Sequence, residues 1–186
     1  NIVFDVKCSK TLEDEILRLG GNPIIWKTGH SFIKQKMKEI SCKFAGEMSG
    51  HIFIGDNYYG FDDGIYVGAK FIEILSKQNI KLSDLVAQLP KYFSTPEIRI
   101  ECASDKEKFR INDEISEFYK NNYDGLDIDG VRISFPNGWG LVRASNTQPV
   151  LVCRFEGDSE EKMNEIKNSV LNKLISLGDI KIPDHV

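Results

Sequence analysis

The first half of the chain alternates short apolar runs with stretches in which apolar residues recur every three or four positions. Ile2 to Val6 is a run of the kind buried in a parallel sheet. Thr11 to Leu19 follows with Leu12, Ile16 and Leu19 at helical spacing, and Gly20-Gly21 ends it. Pro23 to Lys27 predicts a second strand, and Ser31 to Ile40 a second helix with Ile33, Met37 and Ile40 on one stripe. Lys43 to Gly46 is a short third strand, Ile52 to Ile54 another extended run, and Asp63 to Gln78 a long helix carrying Phe71, Ile72 and Leu75. Repeated strand–helix units imply a mostly parallel sheet with right-handed crossovers.

Near Leu89-Pro90 the rhythm changes, and Lys91 to Pro96 reads as a linker between two prolines. Glu97 to Cys102 alternates as a strand, and Lys106 to Tyr119 as a helix with Phe109, Ile115 and Phe118 as its apolar contacts. Gly130 to Phe135, a Pro136-Asn137-Gly138 turn and Gly140 to Arg143 predict a hairpin with Asn-Gly at its tip. Val150 to Phe155 is a further strand. The Ser159 to Leu177 helix closes the pattern on Met163, Ile166, Val170, Leu174 and Leu177. The expected fold is a mostly parallel α/β sandwich domain over 1–90, then a smaller α+β domain with an antiparallel sheet over 91–186.

At 186 residues the chain can hold two modest cores of roughly 90 residues each. A net charge of −4 opposes a general polyanion-binding surface, so no nucleic-acid partner is expected. The basic cluster Lys34-Gln35-Lys36-Met37-Lys38 reads as a solvated helix face. Cys8, Cys42, Cys102 and Cys153 are widely spaced, which suits reduced thiols and a cytoplasmic location better than a zinc site or disulfide framework. No apolar run has membrane-spanning length, so no membrane partner is expected. The chain opens inside a strand without an initiator methionine, so it is expected to be cut from something longer.

Two loops carry the candidate chemistry. Gly46-Glu47-Met48-Ser49-Gly50-His51 sets a carboxylate, a hydroxyl and an imidazole at alternate positions, which share one side if the loop is extended. A carboxylate accepts charge-assisted hydrogen bonds from neighbouring sugar hydroxyls, and histidine exchanges protons near neutral pH. Such glycine-flanked turns also occur as plain solvent-exposed turns. Arg143-Ala144-Ser145-Asn146-Thr147-Gln148-Pro149 offers a guanidinium fork and small donors suited to phosphate. Composition alone leaves a locally capped turn equally open. Lys7, His30 and Glu47 all fall at expected carboxyl ends of strands, where ligands of open α/β sheets bind. Asp62-Asp63 reads as a pair of carboxylates at a helix N-terminus rather than a metal site, and Tyr58, Tyr59 and Phe61 as packing.

These segments resemble the C-terminal half of the α-D-phosphohexomutase superfamily, in particular its bacterial phosphomannomutase/phosphoglucomutase branch. The matching stretches, in family order, are Asp5 to Cys8, Trp26 to Ser31, Gly46 to His51, Gly60 to Tyr66, Ser94 to Glu97, Asp129 to Arg132 and Gly138 to Thr147. The resemblance implies a four-domain enzyme with a deep cleft, residues 1–90 being its third domain and 91–186 its TATA-box-binding-protein-like fourth. It implies that Lys7, His30, Glu47, Ser49 and His51 contact the phosphosugar, with His51 in proton transfer. Arg143, Ser145, Asn146 and Thr147 would hold the phosphate that is not transferred. Met48 resembles the mannose and glucose phosphate mutases more than the glucosamine phosphate mutases.

The family's Ser-His-Asn phosphoserine motif and Asp-Gly-Asp-x-Asp-Arg magnesium loop are absent, and Asp127-Ile128-Asp129-Gly130 does not match the latter. No metal ligands are therefore expected in this chain. Mg²⁺ and glucose 1,6-bisphosphate, as activator and intermediate, are expected of the intact phosphoprotein, together with the N-terminal domains as partners of this half. The expected activity is an isomerase of carbohydrate metabolism interconverting hexose 6-phosphate and hexose 1-phosphate. The alternatives are a non-catalytic sugar-phosphate binding module and a phosphoglucosamine mutase fragment.

Overall fold

Ile2–Asp5 (β1) is the strand on which the first half is built, because its alternate residues bury in opposite directions. Val3 joins Ile33, Met37, Ala45 and Phe53 in one cluster, and Phe4 joins Cys8 and Ile16 in another. A strand covered on both faces is the condition for a parallel sheet. The computed structural model describes residues 1–145 and 147–183 and divides into two units, Asn1–Lys91 and Tyr92 onward.

In the first unit β1 is followed by α1 (Lys10–Arg18), β2 (Pro23–Trp26), α2 (His30–Glu39), β3 (Phe44–Gly46), β4 (Ile52–Ile54), α3 (Gly64–Ser76) and the short α4 (Leu82–Val86). Strand order is β2-β1-β3-β4, with β1 parallel to both β2 and β3 and β4 antiparallel to β3. α1 starts where the Ser9 hydroxyl accepts from the Thr11 amide. Of its three apolar residues at helical spacing only Ile16 is buried; Leu12 and Leu19 face solvent. α3 is less embedded than its composition suggests, since none of its residues is buried and Phe71 and Ile72 are exposed.

The second unit runs β5 (Phe93–Ser94), β6 (Ile98–Cys102), α5 (Asp105–Asn122), β7 (Gly125–Leu126), β8 (Val131–Phe135), β9 (Gly138–Ala144), β10 (Val150–Gly157), α6 (Glu160–Leu177) and β11 (Ile180–Lys181). Its sheet is antiparallel in the order β11-β6-β10-β9-β8-β7, with β5 pairing the end of β10. Phe135 pairs with Gly138, so the β8–β9 turn is the dipeptide Pro136-Asn137 and Gly138 already belongs to the strand. One face of the sheet presents Ile100, Ile133, Val142, Leu151, Cys153 and Phe155 to α5 and α6. Burial pushes the Cys153 thiol well above its ordinary range, which leaves it a packing group.

α6 buries Ile166, Val170 and Leu174 as its periodicity predicts, with Leu171 added. α5 does not follow its aromatic residues. It buries Lys108, Ile111, Ile115, Ser116 and Tyr119, and leaves Phe109 and Phe118 exposed. The displaced phenylalanines lie beneath ammonium groups, Phe118 under Lys173 at 4.0 Å and Phe109 under Lys108 at 4.5 Å. Among the described residues no helix is long and apolar enough to cross a membrane.

Ile115 is fully buried in the cluster shared by α5, α6 and the sheet. Ile115→Ala is expected to lower stability by about 2–5 kcal/mol, read as a shift of the urea midpoint of the second unit.

Candidate functional site

At the carboxyl end of β1 sits a carboxylate with no solvent exposure, that of Asp5. Its Oδ1 accepts from the Lys7 amide at 3.2 Å, the Cys8 thiol at 3.2 Å and the Met48 amide at 3.4 Å. Its Oδ2 accepts from the Thr28 hydroxyl at 3.4 Å and lies 3.9 Å from the Lys7 ammonium. One side chain thus ties together the loops that follow β1, β2 and β3. A buried charge is tolerated only when so many donors meet it.

Above this anchor the Glu47 carboxylate is itself buried. Its Oε1 accepts from the Gly29 amide at 2.8 Å and its Oε2 from the Ser49 hydroxyl at 3.3 Å. Gly29 has φ +128°, a conformation open to glycine, and this turns its amide towards Glu47 while starting α2 at His30. His30 meets His51 edge to face, with ring centroids 4.3 Å apart. Both imidazoles are nearly half exposed. His51 Nδ1 lies 2.7 Å from the Asp62 carboxylate, which holds the ring and leaves Nε2 for another partner. The structure therefore brings His30, Glu47, Ser49 and His51 into one group, with Lys7 on the same sheet edge but drawn down beside Asp5.

Asp62-Asp63 divides its labour. Asp63 is the helix cap expected of the pair, accepting from the Ile65 and Tyr66 amides at 3.0 Å each. It also accepts from the Tyr58 hydroxyl at 2.6 Å, and that bond, with the backbone donors, holds its carboxyl below the ordinary range. The same bond to Asp63 pushes the Tyr58 phenol up to about 12. Asp62 is no cap: it orients His51. Tyr58 stacks on Tyr66 at 3.7 Å, in keeping with a packing role.

In the second unit the buried Arg143, next to last in β9, turns its guanidinium onto Asp129, Nε to Oδ2 at 3.0 Å and Nη2 to Oδ1 at 3.3 Å. That pairing uses one edge of the fork and leaves Nη1 to face another acceptor. Gly130 makes the approach feasible. Its φ is +73°, and a Cβ there would lie 2.2 Å from the Val142 carbonyl oxygen and 2.6 Å from Arg143 Cα. Asp127 instead pairs with Lys120. Ser145 is buried; its amide donates to the Val150 carbonyl at 3.0 Å and its hydroxyl accepts from the Thr147 amide at 3.4 Å. Thr147 is exposed at the loop's tip, and Asn146 lies outside the described residues.

Beneath this loop lies Lys108 of α5, 2% exposed. Its ammonium donates to the Ser145 carbonyl at 2.8 Å, the Gln148 carbonyl at 3.0 Å and the Asp105 carboxylate at 2.7 Å. Three donors meet three acceptors, which is the full capacity of the group. Sequence reasoning missed Asp5, Asp62 and Lys108. A match of Asp5-Val6-Lys7 to a family segment was a signal at hand for Asp5, whereas the residue pattern marks neither Asp62 nor Lys108.

The family pattern described as phosphoglucomutase/phosphomannomutase alpha/beta/alpha domain III matches residues 1–93, and that of the same family's C-terminal domain matches 79–173. A phosphomannomutase/phosphoglucomutase of Pseudomonas putida is 50% identical over 184 residues, covering 98% of this chain and 40% of that protein. The crystal structure of a phosphoglucomutase/phosphomannomutase family protein from Burkholderia thailandensis aligns with TM-score 0.86 and 38% identity, over 98% of this chain and 39% of that one. An Aspergillus fumigatus N-acetylphosphoglucosamine mutase, solved in complex with glucose 1,6-bisphosphate, aligns with TM-score 0.70 at 14% identity, covering 95% of this chain and 38% of that one, and shares the fold alone. The chain spans about two-fifths of the length of these relatives.

Asp5→Asn is expected to keep the shape of the anchor and lower stability by about 3 kcal/mol, because Lys7 loses its buried counter-charge; chemical denaturation of the first unit measures it. Lys108→Met is expected to leave the Ser145 and Gln148 carbonyls without donors, so amide exchange of the 145–150 segment rises while that of β8 does not. The Tyr58–Asp63 bond fixes a pH window. Asp63 is lowered in the folded chain, so its contribution is present above the ordinary carboxylate range and lost on acidification through its folded value. Tyr58 is raised, so its contribution is complete below its ordinary value of 10.0 and lost as pH climbs through about 12. Tyr58→Phe should abolish the alkaline loss and raise the Asp63 pKa, as followed by carboxyl NMR.

Proposed function

Since the chain belongs to the phosphoglucomutase/phosphomannomutase family, we propose that it is the sugar-selecting and phosphate-holding part of a phosphohexomutase interconverting hexose 6-phosphate and hexose 1-phosphate through a bisphosphorylated sugar. The observation that carries the reading is the gathering of Glu47, Ser49, His30 and His51 at one strand-end edge, over the buried Asp5. A carboxylate with one lone pair on each oxygen already used still accepts from two vicinal hydroxyls. His51, with Nδ1 on Asp62, presents Nε2 to the hydroxyl that gives up or takes a proton as phosphate is exchanged. Lys7 adds positive charge to the same edge.

The second unit supplies the grip on the idle phosphate. Arg143 is fixed in direction by Asp129 before ligand arrives, so little side-chain entropy remains to be lost on binding. Ser145, Asn146 and Thr147 add hydroxyl and amide donors. Met48 in the sugar loop favours glucose or mannose phosphates over glucosamine phosphate. On this reading residues 1–90 and 91–186 are the third and fourth domains, and the N-terminal domains are their partners in a cytoplasmic enzyme.

Mg²⁺ is expected in that intact enzyme, and the residues present here do not fit it. The grouped donors of the first unit include two imidazoles, whereas Mg²⁺ demands oxygen ligands. Asp127 and Asp129 are engaged by Lys120 and Arg143. The Ser-His-Asn motif that would carry the phosphoryl group is likewise absent from the sequence. Catalysis by this chain alone is therefore not expected.

Calorimetric titration of the chain with glucose 1,6-bisphosphate tests the proposal. Saturable binding should weaken about tenfold or more in Arg143→Ala, the loss of a charge-assisted phosphate contact. Affinity unchanged by that substitution would sink the assignment. In the intact enzyme the same change should raise KM strongly, and Glu47→Ala should impair turnover of both isomeric monophosphates.

A further inference from the structure

The geometry points to a binding site for a first-row divalent cation, of which zinc is the type, formed by His30, Glu47 and His51. One ring nitrogen of each histidine and one Glu47 oxygen all lie within 4.8 Å of one another. Zinc bonds of about 2.1 Å put tetrahedral donors roughly 3.4 Å apart, so the group must contract. His30, nearly half exposed at a helix start and edge-on to Phe53 at 5.4 Å, is the member that turns, since Asp62 holds the His51 ring. Glu47 is the rigid member, held by the Gly29 amide and the Ser49 hydroxyl. Each of its oxygens keeps a lone pair beyond those bonds.

Asp62 gives the group a feature that loose histidine pairs lack. It lies 2.7 Å from His51 Nδ1, an arrangement in which the neutral ring carries its proton on Nδ1 and a lone pair on Nε2. A carboxylate behind a histidine is the arrangement that orients metal-bound imidazoles and raises their basicity. Two imidazoles and one carboxylate are the ligand set of open zinc sites, with the remaining position left to water or to an exchangeable oxygen ligand. The mixture of nitrogen and oxygen donors selects zinc, cobalt or ferrous iron over magnesium or calcium. The site is one wall of the edge described above, but it needs only the donors and their spacing. It stands whether or not a phosphosugar binds there.

Zinc titrated calorimetrically into the chelator-treated chain, in a buffer free of phosphate, tests the site. One equivalent should bind. His30→Gln and His51→Gln should each weaken binding about tenfold or more, and Asp62→Asn should weaken it by a smaller factor, as expected for a group acting through His51. Circular dichroism establishes that each variant is folded. No saturable binding, or affinity unchanged in both histidine variants, would overturn the proposal. A second measurement needs no variant. Zinc should protect His30 and His51 of the unaltered chain from diethylpyrocarbonate, mapped by peptide mass spectrometry. Equal labelling of both residues with and without zinc would overturn the site as well.

Discussion

A single buried carboxylate, Asp5, holds the ligand-facing edge of the first unit together. It receives the Lys7 and Met48 amides, the Cys8 thiol and the Thr28 hydroxyl, and lies beside the Lys7 ammonium. Those donors come from three separate strand-to-loop junctions. A fully desolvated charge is costly unless satisfied, so each junction is held to the position that satisfies it. The fixed positions of Gly29 and Glu47 follow, because Gly29 comes directly after Thr28 and Glu47 directly before Met48, both of which are bonded to Asp5. The chemistry of the exposed edge is thereby set from below.

The second unit solves the same problem with the opposite charge. Lys108 is a buried ammonium whose three donors are spent on two loop carbonyls and Asp105. Arg143, at the start of that loop, is fixed by Asp129 across a glycine that leaves no room for a side chain. In both units the exposed reactive groups are few, and a buried ion stands behind each set. A binding loop built on such a support loses little freedom when ligand arrives.

Much of this was legible in the residue pattern. Strand–helix alternation gave way to a hairpin pattern near Pro90, and the parallel and antiparallel sheets lie on either side of that change. The Glu47 and Arg143 loops announced themselves by concentrating glycine or hydroxyl residues around one charge. The supporting ions did not, since one aspartate ending a strand or one lysine within a helix has no periodicity to betray it. Lys108 also misdirected the reading of its own helix. With its charge absorbed by loop carbonyls it occupies a core-facing position, and Phe109 and Phe118 are turned to the rim. Asp62 and its neighbour Asp63 read as a like pair, and only the fold reveals that one caps α3 while the other holds His51.

α3 carries the last consequence. Ile65, Phe71, Ile72 and Ile74 lie open along it, with Leu82, Val86 and Leu89 open shortly beyond. Exposed apolar side chains in this number favour association of the chain with itself as its concentration rises. Charged replacements at these positions should reduce that association.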